Sequence, residues 1–211
     1  MEKKGIQAPM GETRVLLHTC CAPCSSAIIE ALIQNGITPV IYYCNPNIYP
    51  QEEYEIRKNE CTRYAESLGL EIIDADYDHE NWLEAVQGLE DEPERGGRCL
   101  KCFKLRLLRT AEYARQRGIK VITTTLASSR WKSLDQIDEA GLWACGQVSG
   151  DVILFYINAH PRFAVGKDGD RQSAVVRYAE IGQVGIGKGR SAIFVSRYYK
   201  IFIFFGYIQI F

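Results

Sequence analysis

Apolar runs and helix-like patterns alternate along the first 141 residues of the chain. Short runs rich in β-branched and aromatic residues predict strands, because such residues suit the half-buried surface of a sheet. Between them, apolar residues recur every three to four positions, which is typical of helices with one buried face. The predicted strands cover residues 14–18, 38–44, 70–74 and 120–125, and the predicted helices begin near Ser25, Glu52, Trp82, Arg98 and Ser133.

Capping and turn residues indicate where these helices begin and end. Ser25 or its neighbour Ser26 is expected to cap the first helix. Ser133 opens a capping box for the last helix, which should end near Gly141 because glycine favours helix ends. Past Gly141 the periodic pattern stops, and residues 142–211 show no clear order of helices or strands.

Strand–helix alternation at this spacing predicts an α/β fold with a Rossmann-like parallel sheet and helices on both faces. In such a sheet, ligands bind beyond the carboxyl ends of the strands. Three loops should meet at that edge, namely residues 20–24 after the first strand, 45–49 after the second and 127–132 after the fourth. A functional site is therefore expected there.

Composition narrows the class of protein. A net charge of -1 does not exclude a nucleic-acid partner, because binding depends on local patches rather than on the total. The polar start MEKKGIQAPMGETR lacks the apolar region of a signal peptide, and the apolar end IFIFFGYIQIF is too short to span a bilayer. We therefore expect a cytoplasmic protein without a membrane partner. In the cytoplasm, 8 cysteines indicate metal binding or redox chemistry rather than a disulfide scaffold.

Two cysteine pairs carry the strongest chemical signal. Cys20 and Cys21 are adjacent, which disfavours a disulfide between them and leaves both free to face one metal centre. Cys99 and Cys102 lie one turn apart at a predicted helix start, where the helix dipole lowers thiol pKa values. A four-cysteine set suits either a [4Fe–4S] cluster or structural zinc, although zinc sites usually use two Cys-x-x-Cys pairs. Unrelated core or redox cysteines are the third interpretation.

Other side chains near these loops have two interpretations each. Cys24 is either a small core residue or a fifth thiolate that binds a second metal ion or exchanges electrons with a substrate. His18 either orients the cysteine loop or is an ordinary core histidine. Cys44 and Cys61 fall at apolar positions and are predicted to be core residues.

Two further features suit a nucleic-acid partner. One predicted helix is crowded with basic residues, which form either a solvated face or a set of contacts to phosphates. Asn45, Asn47 and Tyr49 could offer hydrogen-bonding and stacking groups to a base of single-stranded RNA. The basic residues are Arg98, Lys101, Lys104, Arg106, Arg109, Arg115 and Arg117.

Five segments of the chain resemble the QueH-type epoxyqueuosine reductases. The resemblance covers residues 13–141 and rests on HTCCAPCS, YYCNPNIYPQEEYEIR, DYDHENW, ERGGRCLKCFKLRL and TTTLASSRWKSLDQI. It implies a Rossmann-like sheet related to the adenine-nucleotide α-hydrolase superfamily. The first loop carries CCAPCS where the nucleotide-binding relatives have a phosphate loop.

The resemblance also implies a function. The family reduces epoxyqueuosine in the anticodon of tRNA to queuosine, the last step of this tRNA modification, with a [4Fe–4S] cluster. By position, Cys20, Cys21, Cys99 and Cys102 are the implied cluster ligands, and Cys24 is the implied catalytic cysteine, placed where a second metal ion near the cluster could bind. The implied partners are tRNA and an electron donor.

Two rival functions fit the same cysteines. A non-catalytic protein could bind zinc through the four cysteines and bind RNA or a protein partner. An ATP-dependent tRNA-modifying enzyme of the same superfamily is the other rival, and binding of ATP would favour it.

The chain departs from the family pattern after residue 141. The resemblance implies a Cys-Gly-Cys near the C-terminus, as in other family members. This sequence has no such motif, since Cys145 is the one cysteine that follows Cys102. We therefore assign residues 13–141 to a cluster-binding domain. For residues 142–211 the hypothesis is a frameshifted or disordered tail, which sequencing of the gene would test.

Overall fold

The computed structural model describes residues 6–129, 131–148 and 152–158, together with short strands at 176–179, 193–195 and 200–202. Side chains are described as far as residue 154. The hypothesis for residues 142–211 therefore falls largely outside the described part of the chain. Among the residues described, no helix is both long enough and apolar enough to cross a membrane.

Through the fifth helix, strands and helices alternate in the predicted order, and four further strands follow that the sequence pattern did not predict. The strands are β1 (Arg14–Thr19), β2 (Thr38–Tyr43), β3 (Ile72–Asp74), β4 (Val121–Thr124), β5 (Ile153–Asn158), β6 (Val176–Ala179), β7 (Ile193–Val195) and β8 (Lys200–Phe202). The helices are α1 (Ala22–Gln34), α2 (Gln51–Ser67), α3 (His79–Val86), α4 (Gly97–Gln116) and α5 (Leu134–Gln147), with 3-10 turns at Pro9–Gly11 and Thr125–Ser128.

Six of the strands form one parallel sheet in the order β3-β2-β1-β4-β5-β6. The first strand lies at its centre, where Leu16 pairs with Val40 on one side and with Ile122 on the other. The separate pair of β7 and β8 is antiparallel. The predicted Rossmann-like α/β fold is thereby confirmed.

The hydrophobic core lies on both faces of this sheet. Successive side chains of a strand point to opposite faces. Leu16 accordingly packs in the cluster that contains the apolar residues of α4 and α5, whereas Val15 and Leu17 pack in the cluster formed with α1 and α2. Helices therefore cover both faces of the central strands, and the loops at the sheet's edges remain the places where polar groups can gather.

The first helix begins earlier than its serines predicted. Its N-cap is Cys21, with Pro23 in the first turn, where proline is tolerated because the first N–H groups have no partner within the helix. Ser25 lies inside the helix, and its hydroxyl donates to the Cys21 carbonyl at 2.5 Å. The prediction of a cap at Ser25 or Ser26 was therefore wrong, and the earlier start brings Cys24 into the first helical turn.

The last described helix does not end at Gly141, as the sequence predicted, but continues to Gln147. Gly141 is buried against β5, and a Cβ atom at this position would lie 2.2 Å from the Leu154 Cδ2 atom. This glycine therefore permits close packing of helix on sheet rather than a change of chain direction. Ser133 does cap the helix, since its side chain accepts the N–H of Gln136.

Two glycine substitutions in α5 test this packing. Gly141→Ala should lower the free energy of unfolding by about 1–2 kcal/mol, because overpacking against Leu154 outweighs the gain in helix propensity. Gly146→Ala is the matched control, since a Cβ there meets no atom within 4 Å. We expect it to stabilise the protein by roughly 0.5–1 kcal/mol. Urea unfolding of both variants is the measurement, and equal stabilisation by both would contradict the contact with β5.

Candidate metal centre

The connections of the sheet change direction between β1 and β4. The chain continues from β1 to β2 and β3 on one side, whereas β4 leads to β5 on the other. In Rossmann-like folds such a switch leaves a crevice at the carboxyl ends of the two strands, where ligands bind. Cys20 follows β1 and Thr125 follows β4, so both lie at this crevice.

Three cysteine sulfurs gather there. The Sγ atoms of Cys20, Cys21 and Cys24 all lie within 4.8 Å of one another, and those of Cys20 and Cys21 are 3.9 Å apart. All three cysteines are free, and Cys24 is exposed while the other two are half-buried. The N-terminal end of α1 adds a positive dipole that favours thiolate sulfur. This group of sulfurs could hold a metal ion.

The three thiols ionise as a coupled group. Hydrogen bonds from the side chains of Cys21 and Cys24 hold the pKa of Cys20 well below its ordinary value. The charge of Arg106 and the Thr125 hydroxyl, 3.6 Å from the Cys20 sulfur, act in the same direction. The hydrogen bond to Cys20 in turn raises the pKa of Cys21 to about 12, and the pKa of Cys24 is raised as well. Cys20 is therefore the thiol of the group whose surroundings most favour ionisation.

A buried arginine ties the cysteine loop to the neighbouring loop. Arg106 is 3% exposed, and its Nε donates to the Cys44 carbonyl at 3.1 Å. Its Nη2 donates to Asn45 Oδ1 at 2.5 Å, and Asn45 Nδ2 donates to the Thr19 carbonyl at 2.9 Å. Thr19 is the last residue of β1. The network therefore fixes the loops that follow β1 and β2 relative to each other.

His18 is held neutral inside this network. Burial, followed by the charge of Arg106, lowers the pKa of His18 to about 3. Its Nδ1 lies 2.8 Å from Thr124 Oγ1, and its Nε2 lies 3.1 Å from the Cys44 carbonyl. The interpretation as a core histidine is confirmed, since the ring is buried and both of its nitrogens lie within hydrogen-bonding distance of a partner, whereas a role in orienting the cysteine loop stays a prediction.

Cys99 and Cys102 lie at the N-terminal end of α4. A helix between parallel strands runs against the strand direction, so this end of α4 lies at the carboxyl edge of the sheet. Cys99, Cys102 and Arg106 are spaced to share one helix face, and Arg106 contacts the loops after β1 and β2. The two sulfurs do not join the group of Cys20, Cys21 and Cys24 at a spacing of 4.8 Å. Cys102 is buried and Cys99 is half-buried.

The basic residues of α4 and its C-cap lie in different environments. Arg106 is a core residue, although the basic character of the helix predicted a solvated or phosphate-binding position. The available signal was its position three residues after Phe103 and four before Thr110, both buried on the same helix face. Three others form ion pairs, namely Lys104 with Glu139 at 2.7 Å, Arg109 with Asp78 at 3.5 Å and Arg117 with Glu71 at 3.0 Å.

The three residues predicted to face a nucleobase have different environments. Asn45 is buried at 1% exposure, and both ends of its amide are hydrogen-bonded within the network, so a base cannot reach it. Asn47 is half-buried. Tyr49 alone of the three is exposed, at 75%. Cys44 and Cys61 are buried, as predicted.

Comparison with known proteins gives three similar epoxyqueuosine reductases, each about half identical to the matched part of this chain. The QueH epoxyqueuosine reductase of Histophilus somni is 49% identical over 136 residues, which are 64% of this chain and 56% of the relative. The corresponding protein of Haemophilus influenzae is 48% identical over 156 residues, 74% of this chain and 63% of the relative. That of Acinetobacter baylyi is 46% identical over 139 residues, 66% of this chain and 64% of the relative.

The matches cover most of this chain but less of the relatives. The chain spans about 56–64% of the length of these three curated relatives. A family model, that of the epoxyqueuosine reductase QueH, matches residues 15–160 and so includes all five cysteines of the crevice and of the N-terminal end of α4. The chain therefore belongs to the epoxyqueuosine reductase QueH family.

Proposed function

We propose that this chain reduces epoxyqueuosine in tRNA to queuosine. The observation that carries the proposal is the group of three cysteine sulfurs at the switch point of the sheet, in a member of the epoxyqueuosine reductase QueH family. The chain spans about 56–64% of the length of these three curated relatives. The match shows the family, and the activity of the whole protein is therefore a proposal.

The residues present suit an iron–sulfur cluster. Cysteine thiolates are the usual ligands of such clusters, and the environment of Cys20 already favours the thiolate. We assign Cys20, Cys21, Cys99 and Cys102 as the residues that would hold a [4Fe–4S] cluster. A cluster is larger than a single ion, so its four ligands need not meet at the spacing of the three-sulfur group.

The reaction removes the epoxide oxygen as water, and it consumes two electrons and two protons. A bound cluster would relay the electrons that an external donor provides. The chain's own residues set the surroundings: the Arg106 cation favours negative charge on Cys20, and the neutral His18 holds β1 in place. We assign the catalytic role to Cys24, an exposed residue beside Cys20 and Cys21 that can contact a substrate or bind a second metal ion.

A single zinc ion without catalysis is the second candidate, and one distance favours it. Zinc–sulfur bonds of about 2.3 Å in a tetrahedral site place two sulfurs about 3.8 Å apart. The Cys20 and Cys21 sulfurs are 3.9 Å apart. On this alternative the chain is a metal-stabilised protein that binds RNA or another protein.

Metal content and activity separate the two candidates. The full chain, purified without oxygen, should contain about four iron and four sulfide per chain and show broad visible absorbance. With a chemical reductant such as dithionite, it should convert epoxyqueuosine to queuosine in tRNA, measured by mass spectrometry of the digested nucleosides. One zinc with no iron or sulfide would favour the second candidate. A protein that holds an intact cluster but does not convert epoxyqueuosine would contradict the proposed activity, although it would still belong to the family.

We further propose that the cluster-binding domain extends beyond residue 141. Helix α5 and strand β5 continue the fold past this position, and the family match ends at residue 160. The hypothesis of an out-of-frame segment therefore applies to residues after about 160. Sequencing of the gene tests it, and an intact reading frame through that region would end the hypothesis.

A further inference from the structure

A set of stacked aromatic rings lies beside the cysteine crevice. The His79 ring has its centroid 5.4 Å from that of Tyr49, 5.6 Å from that of Tyr77 and 5.5 Å from that of Trp82. The planes of these pairs are inclined by 25°, 6° and 21°. Tyr49 is the outermost member, since it is 75% exposed. We call these four residues the aromatic stack.

The aromatic stack is fixed relative to the crevice. Tyr77 donates its hydroxyl to the Ile48 carbonyl at 2.8 Å, and His79 Nδ1 lies 2.7 Å from the Pro46 carbonyl. The same loop is joined to the end of β1 by Asn45, which donates to the Thr19 carbonyl at 2.9 Å. Adjacent strands are about 4.8 Å apart, and β2 lies next to β1, so the loop that carries Tyr49 is the direct neighbour of the cysteine loop.

Two buried polar atoms in this region have no partner among the described residues. They are Asn47 Oδ1, in the loop that carries Tyr49, and Trp82 Nε1, in the aromatic stack. Buried polar groups are nearly always hydrogen-bonded, to protein, water or ligand. These atoms lie below the surface, and the exposed Tyr49 ring, stacked on His79, is the part of this region that another molecule can contact.

We propose that a base of single-stranded RNA stacks on the exposed face of Tyr49, next to the base that enters the cysteine crevice. This inference rests on the proposed function, because a reaction on one base of an RNA loop requires that base to leave its neighbours. Aromatic rings support bases of any sequence by stacking, since every base has a flat π-face. The exposed Tyr49 ring of the aromatic stack supplies that support, and it acts without an ion pair to phosphate.

Substitution of Tyr49 tests the contact directly. The probe is an anticodon stem–loop RNA without the modification, and its affinity for the full-length metal-loaded protein is measured by fluorescence anisotropy. Tyr49→Ala should weaken binding about 10- to 100-fold, whereas Tyr49→Phe, which keeps the ring, should stay within about two-fold of wild type. Ile56→Ala removes another exposed apolar side chain, 58% exposed, and is the matched control. The salt dependence of binding should be the same in all four proteins, because no charge is removed.

Removal of single bases identifies the partner of Tyr49. Abasic sites are placed in turn at each loop position of the probe. One position should weaken binding by wild type about tenfold and have less than about two-fold effect on Tyr49→Ala, because the two changes remove the same stacking contact. Independent effects at every position would overturn the inference, as would unchanged affinity of Tyr49→Ala.

The experiments distinguish failure of stacking on Tyr49 from failure of the proposed reduction. If Tyr49→Ala binds the probe normally while wild type reduces epoxyqueuosine in tRNA, the stacking inference fails and the function stands. If wild type binds the RNA through Tyr49 but carries out no reduction, the function fails and the stacking contact stands. A stack that binds only a protein partner would show no effect of either the substitution or the abasic sites on RNA binding, and would overturn the inference.

Discussion

Cys99→Ala is expected to leave the anaerobically reconstituted protein without the broad visible absorbance of a [4Fe–4S] cluster. Loss of one thiolate leaves a cluster iron without its protein ligand, and alanine offers no replacement. We expect Cys20→Ala to have the same effect, since Cys20 is the thiol whose pKa its neighbours lower. Iron and sulfide counts, taken with the absorbance spectrum, measure the loss.

Cys145→Ala is the matched control for this experiment. Cys145 is a half-buried free cysteine of α5 that packs against the same core as Cys99 and lies outside the three-sulfur group. Burial raises the pKa of the Cys145 thiol to about 12, so it has little thiolate character at neutral pH. This variant should keep its full iron content. Full cluster content in Cys99→Ala would contradict the ligand assignment.

Cys24→Ala separates the two proposed metal assignments. If a cluster is held by the other four cysteines, this variant keeps its iron and loses the reduction of epoxyqueuosine. If a single ion is held by the three-sulfur group, the same variant loses its metal, while Cys99→Ala retains it. The two variants thus give opposite results under the two assignments.

The fold could be predicted from local pattern because the pattern is repeated. Each strand of the central sheet is a short apolar run, and each helix shows apolar residues at helical spacing. Parallel strands joined by helices then require the loops after β1 and β2 to share one edge, which correctly placed Cys20 and Cys21 at the binding crevice. The proximity of Cys24 also follows from spacing, since it is three residues from Cys21 at a helix start.

The features that the sequence did not reveal depend on contacts between distant residues. A glycine at the end of an apolar pattern resembles a helix stop, and the packing of Gly141 on Leu154 becomes visible only once α5 lies on β5. Asn45 resembles a loop residue available to a ligand, yet its amide is bonded to Thr19 and Arg106, 26 and 61 residues away in sequence. Local pattern contains no information about such partners.

Arg106 is the clearest case, because a charged residue in a basic helix is ordinarily solvated. Burying a guanidinium is unfavourable unless its donors find acceptors. In this protein the Cys44 carbonyl and Asn45 Oδ1 provide them. The charge is therefore retained inside the fold beside Cys20, where it lowers the pKa of that thiol. This arrangement links the stability of the fold to the chemistry of the site.

Arg106→Ala should accordingly lower the stability of the fold and change the electrostatics of the site. Two buried acceptors would lose their donor, and we expect a loss of about 2–4 kcal/mol in the free energy of unfolding. For a protein of this size the melting temperature should fall by about 5–15 °C. Arg115→Ala, at an exposed position of the same helix, is the control and should change stability by less than about 0.5 kcal/mol. Thermal unfolding followed by circular dichroism measures both.

The effect of the Arg106 charge on the pKa of His18 can be measured separately. Arg106 lowers the pKa of His18, so its removal should raise that pKa toward the ordinary value of 6.5, while burial still holds it below. Titration of the His18 ring by NMR detects the shift in the metal-free protein. Arg106→Lys keeps a positive charge but loses the planar arrangement of donors, so it should be destabilised while the His18 pKa stays low. Equal His18 pKa values in wild type and Arg106→Ala would show that burial alone keeps this ring neutral, and would remove Arg106 from the electrostatics of the site.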